Sequence, residues 1–169
     1  MKISQEGLIL VALLAVPGGA HAGEFSLDVN GWSRHSNDTY KYQGKRHEYN
    51  EQNTGLGLTY GISKHFEAST GFYENSYYRT SVYGAVRIKR NIYLDGGFIV
   101  THGIQIGLAT GYADTPAHAA YFQFVAMPVV RLAYRRTGVT IGYIPRVNQD
   151  NGVPVSTIVV QANIRIGKP

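Results

Sequence analysis

The chain has no cysteine and therefore no disulfide to staple it, so its stability must come from strand pairing and side-chain packing. It also lacks an apolar run long enough for a membrane helix. The run near its start, "GLILVALLAV", is about half the roughly 20 residues that span a bilayer. No later segment keeps a 3.6-residue apolar period for three turns, which excludes a helical domain. Charge is sparse too, at 16% of residues, with 16 bases and 11 acids. The resulting +5 could serve phosphate-bearing lipid, nucleic acid or nothing in particular, and by itself it selects none of these.

Lys2 precedes the apolar run and "PGGAHA" follows it, with small residues at the minus-three and minus-one positions of an A-x-A cleavage site. Residues 1–22 therefore read as a secretory signal peptide cut after Ala22. The remaining 169 − 22 = 147 residues suffice for one domain, 23–169. Because the leader carries one base, Lys2, and one acid, Glu6, the mature charge stays +5. Export makes nucleic acid an unexpected partner.

Period-two alternation is what the chain has from end to end, with Gly (20) and Tyr (13) as its main spacers. Eight apolar faces stand out: Leu27/Val29, Leu56/Leu58/Tyr60, Phe66/Ala68/Phe72, Val82/Val86/Ile88, Ile104/Ile106/Leu108, Phe122/Phe124/Val130/Leu132, Val139/Ile141/Tyr143 and Ile158/Val160/Ile164/Ile166. The connections alternate as well. "SNDTYKYQGKRHEYNEQ", "ENSYYR", "ADTPAHAAY" and "RVNQDNG" are polar and mostly long, whereas "SKH", "LDGG" and "RRTG" are short. That layout predicts an all-β fold, an eight-stranded antiparallel transmembrane β-barrel of the bacterial outer membrane, closed because lipid cannot satisfy an open edge. A soluble barrel with its apolar face inward has the same binary pattern. Its other face would be crowded with Lys and Glu, however, and here that face holds mostly Gly, Ser, Thr, Tyr and Asn. A closed barrel has no free edge, so a monomer is expected.

With the apolar face on lipid, Asp28, Glu67, Arg87, Lys89, Arg131 and Arg165 point into the lumen near the short turns, where they must pair and form a polar plug. Tyr73, Tyr83, Ala85, Val125, Met127 and Val129 project into the other half, as an apolar pocket or as ordinary filling. Two prolines, Pro128 and Pro145, fall on adjacent strands toward the long loops. Each deletes a ladder hydrogen bond that lipid cannot replace, and together they predict a gap in the wall through which lipid could pass sideways.

In order and spacing, "GW" followed closely by a histidine, "YNE", "NSY", "MPV" and "YIP" with a later "NG" resemble the PagP-type lipid A palmitoyltransferases of the Gram-negative outer membrane. The resemblance covers about Gly31 to Ile166. It implies a barrel that moves a palmitoyl chain from a glycerophospholipid donor to lipid A, with no cofactor, and with Pro128 and Pro145 at the lateral openings. It also implies a catalytic set of His35, Asn75 and Ser76. The chain departs from the family in four places. It reads "WSRH" where the family has histidine directly after tryptophan, and Asn75 stands where the family has aspartate. Only "GE" lies between the expected cleavage site and the first strand, so the family's N-terminal amphipathic helix is expected to be absent. The last residues, "NIRIGKP", lack the aromatic end common in bacterial barrels.

In acyl transfer a base takes the proton of the acceptor hydroxyl and donors hold the oxyanion; His35 suits the first role, Asn75 and Ser76 the second. Arg34, Lys45, Arg46 and Arg79, with Lys41, lie in or beside the long loops, where lipid A phosphates would lie. His47, His65, His102 and His118 show no carboxylate-supported metal spacing, so no metal is expected. Two rivals remain. A lipid A deacylase is pointed to by "HSN" and Glu48, although His35 and Ser36, being consecutive, would diverge on a strand. A non-enzymatic barrel with a structural or adhesive role would need no site at all.

Overall fold

The structure, a computed structural model, describes residues 23–112, 122–147 and 155–166. The expected leader, the "ADTPAHAAY" loop with His118, and the "NG" of the last long loop lie outside them.

Alternating sequence becomes alternating geometry: the chain closes into an eight-stranded antiparallel barrel. Its strands are β1 (Phe25–His35), β4 (Gly55–Gly61), β5 (Phe66–Glu74), β6 (Thr80–Tyr93), β7 (Phe98–Ala109), β8 (Gln123–Tyr134), β9 (Thr137–Val147) and β10 (Val155–Ile166). Each strand pairs with its sequence neighbour, and β1 closes the ring against β10. The first long loop holds a small separate hairpin, β2 (Thr39–Tyr42) and β3 (Lys45–Glu48). Gln43 and Gly44, both at positive φ, make its two-residue turn. A polar loop with glutamine at a left-handed position carries little hairpin signal, and the sequence showed only a loop there.

The apolar faces point outward. Leu56, Leu58, Phe66, Phe72, Ile88, Ile104, Ile106, Leu108, Phe124, Val130, Leu132, Ile141 and Ile164 are all exposed. So large an apolar belt is stable only against lipid, which rules out the inside-out soluble barrel. The inward face is polar at the turn end and apolar toward the long loops.

The expected plug is present. Glu67 accepts from Arg87 (3.1 Å), Lys89 (2.6 Å) and Arg131 (2.7 Å), all with side chains almost fully buried. Arg87 also donates to Gln105 Oε1 at 2.7 Å. One layer on, Asp28 accepts from Thr59 and from Asn163 (2.8 Å), and Asn163 in turn accepts from Thr140. These side chains, with Arg131 reaching across from β8 to Glu67 on β5, lie between two chambers of the interior. Arg165 lies outside the plug, paired with Glu24 at 3.2 Å.

Candidate functional site: a buried histidine above an apolar cavity

One irregularity in β1 puts the histidine inside. Asn30 pairs with Gln161 and Trp32 with Val160, so Gly31 is an extra residue, a β-bulge. Before it Asp28 and Asn30 face the lumen; after it the parity reverses. Trp32 turns outward at 43% exposure, whereas Ser33 (2%) and His35 (7%) turn in. Had β1 alternated regularly through Gly31 instead of bulging there, His35 would face lipid.

The segment 49–54, which belongs to no strand, then builds the site around it. Tyr49 stacks on the His35 ring with centroids 4.1 Å apart and planes 6° from parallel. Asn50 N donates to Ser76 O (2.9 Å), and its side-chain amide donates to Asn75 O (3.2 Å). Glu51 O accepts from Ser33 N (2.9 Å), closing the part of β1 that β4 does not reach. The three stretches "GWSRH", "YNE" and "NSY" thus meet at one place. Further out Tyr40, from the hairpin, packs on both Tyr49 and Tyr77.

Asn75 is fully buried and all its hydrogen-bonding capacity is committed. Its amide donates to Ser81 Oγ (3.0 Å) and Gly111 O (2.9 Å), while Oδ1 accepts from Tyr77 N (2.9 Å) and Arg79 N (3.1 Å). Its side chain forms the turn that presents Ser76, and in this arrangement no N–H is left to give an oxyanion. Ser76 itself lines the cavity with His35.

That cavity holds about 210 Å³. Its walls include Tyr73, Tyr83, Ala85, Val125, Met127 and Val129, the six residues expected in the upper lumen, and Arg87 with Gln105 forms its floor. Among the described residues, five buried side-chain polar atoms lack a hydrogen-bond partner: Ser33 Oγ, His35 Nδ1, Asn53 Oδ1, Tyr83 Oη and Gln123 Oε1. All five residues line this cavity. Buried polar atoms are paired in the great majority of cases, so unpaired atoms gathered around one space leave it able to receive a polar group; Tyr83 Oη also has Asn30 and Gln161 beside it.

The wall beside the cavity is open. β8 and β9 pair only from Val129↔Gly142 to Tyr134↔Thr137, leaving 123–128 and 143–147 unpaired with each other. Pro128 lies on one lip and Pro145 on the other, both facing outward. Pro145 does not end its strand. It lies in a second bulge, between Ile144↔Thr157 and Val147↔Val155, and β9 runs on to Val147.

Of the cations at this end, Arg34 is committed to Asp38 (2.9 Å) and Glu51 (3.0 Å). Lys45 and Arg46 are exposed on β3, with Lys41 directly across from Arg46, and Arg79 is exposed on the Asn75 turn. They share the loop end but not one cluster. Ser36 points away from the cavity, its hydroxyl accepting from Ser156 N (3.1 Å), so His35 and Ser36 diverge. Sequence reading missed Tyr49, Ser33 and Asn53 as members of the site. "YNE" was visible as a motif, but its contact with His35 depends on a bulge that no periodicity announced.

No protein-family model and no curated protein matches the sequence. Among solved structures the chain is similar to a designed transmembrane β-barrel (8% identity, 88% of this chain and 100% of that chain, TM-score 0.51). It is also similar to the outer-membrane protein Ail of Yersinia pestis in a phospholipid nanodisc (13%, 85% and 99%, 0.41). A crystal structure of Ail with the heparin analogue sucrose octasulfate is similar at 13% identity, 86% and 100% coverage and a TM-score of 0.35. At such identities the likeness concerns the barrel fold alone.

Proposed function

We propose that the chain is an outer-membrane lipid acyltransferase that moves a long acyl chain from a glycerophospholipid to lipid A, in the manner of the PagP-type enzymes it resembles. The observation that carries this reading is His35: a buried imidazole with an unpartnered Nδ1, at the head of an apolar cavity whose wall is unzipped beside it. An acyl chain entering through the β8/β9 gap would fill the space between Val125, Met127, Val129 and Ala85. Its ester would then lie among the orphaned polar atoms. His35 takes the proton of the acceptor hydroxyl, whose oxygen attacks the ester carbonyl, and returns that proton to the departing glycerol oxygen. The Ser33 and Ser76 hydroxyls are the donors for the oxyanion, and Asn75 positions Ser76. Lys45, Arg46 and Arg79 supply cations for acceptor phosphates; Arg34, already held by two carboxylates, stiffens the rim.

A second reading, a non-enzymatic barrel with a structural or adhesive role, is favoured by Asn75, whose amide is spent within the fold. Mass spectra of lipid A from Gram-negative cells with and without the chain separate the two. One added acyl chain is expected, and His35→Ala should remove it, lowering the rate by roughly 10²- to 10⁴-fold. Unchanged lipid A beside a folded barrel in the membrane would establish the passive reading, and one lost chain a deacylase. Transfer that survives His35→Ala would refute His35 as the base.

A further inference from the structure

The plug is charged unevenly. Glu67 is one carboxylate contacted by three cations, Arg87, Lys89 and Arg131, all nearly buried. Adding Asp28, the other buried acid among the described residues, still leaves 3 − 2 = +1 in a desolvated layer. Below it, at the turn end, opens a chamber of about 860 Å³, and its rim adds Lys64, Arg135, Arg136 and Arg165 against Glu24, or 4 − 1 = +3. Layer and rim together therefore carry +4 of the chain's net +5. A buried excess cation is costly unless an anion joins it.

The donors are available for one. Arg131 uses only Nη2 on Glu67, so the rest of its guanidinium fork has no partner among the described residues. Lys89 spends one contact of its ammonium on the same carboxylate. Arg135 lies over the Tyr134 ring, 5.2 Å from its centroid, beside the mouth. Unlike the loop end, this end has no lateral gap: β8 and β9 are paired through Tyr134↔Thr137, and β1 and β4 through Phe25↔Tyr60. An occupant must come along the barrel axis, from water.

We propose that the turn-end chamber is a binding site for a water-borne phosphate-class oxyanion, held by Arg131 and Lys89 within and by Arg135 and Arg136 at the rim. A multivalent oxyanion offsets the excess charge, and its oxygens match the guanidinium fork. The site is separated from the acyl cavity by the Glu67 and Asp28 layers and does not depend on the acyltransferase reading.

The test is calorimetric titration of inorganic phosphate and pyrophosphate into the full barrel in phosphatidylcholine nanodiscs, at constant ionic strength held with chloride. Saturable binding is expected, tighter for pyrophosphate. Arg131→Met should weaken it roughly tenfold or more, the worth of a charge-assisted hydrogen bond. Because Arg131 also braces Glu67, the exposed pair Arg135→Ser/Arg136→Ser serves as a fold-neutral second variant and should weaken binding too. Absence of saturable binding, or binding indifferent to the rim pair, would overturn the proposal. So would loss of pyrophosphate binding in phosphatidylglycerol nanodiscs at the same ionic strength, because a lipid headgroup would then be the occupant.

Discussion

Both amide hydrogens of Asn75 go to Ser81 Oγ and Gly111 O, and its oxygen holds Tyr77 N and Arg79 N. Asn75→Asp, which installs the residue of the resembled family, would set a carboxylate 2.9 Å from the Gly111 carbonyl and remove two donors. The expected result is a loss of about 1–3 kcal/mol of stability, from unsatisfied buried acceptors, together with slower transfer. Urea unfolding and the transfer rate measured on one preparation decide it; a faster rate would mean that a carboxylate at this position serves the chemistry. His35 and Ser76 were legible in the sequence because "WSRH" and "NSY" carry them in order. The saturation of Asn75 was not, because its partners include Gly111, 36 residues away. A Cβ on Gly111 would come within 2.7 Å of Ser81 Oγ, so the turn also depends on that glycine.

Two departures from regular β-structure decide what the barrel wall does. The Gly31 bulge reverses the parity of β1, and the unzipped stretch between β8 and β9 opens the side of the cavity. Continuing the ladder from Val129↔Gly142 places Ala126 across from Pro145. With no native cysteine, Ala126→Cys/Pro145→Cys can be joined selectively by a short bismaleimide. Bridging should stop acyl transfer, while each single cysteine treated the same way should stay active. Transfer that continues across the bridged gap would show that lipid does not use this opening. The eight strands were readable because one face of each meets lipid, and alternation is then obligatory. The gap was readable through its prolines, whose missing N–H groups are a property of the residue. Segment 49–54 was not readable, because a stretch outside any strand has no period and its placement is set by tertiary bonds to Ser33, Ser76 and Glu74.

At the scale of the whole barrel, apolar surface faces out and the charges gather inside at one end, so the hydrophobic effect that packs a soluble core does not pack this lumen. Ion pairs inside the lumen take that part, and Glu67 on β5 is their hub: Arg87 and Lys89 meet its carboxylate from the neighbouring strand β6, and Arg131 meets it from β8 across the lumen. Removing one partner of a buried ion pair costs far more than the intact pair contributes, because the remaining charge stays desolvated. Glu67→Gln keeps the volume and strands three cations. It should therefore destabilise the barrel by about 3–5 kcal/mol, read as a lower urea midpoint through the fluorescence of Trp32, the single tryptophan, which stands on the outer face. Adding Arg131→Met removes one stranded cation and should recover part of the loss, so the two changes should be non-additive in a double-mutant cycle. Phosphate should narrow the Glu67→Gln deficit further if the turn-end chamber takes an oxyanion. A loss below about 1 kcal/mol would instead mean that water already solvates these charges and that the lumen is held by its polar layers alone.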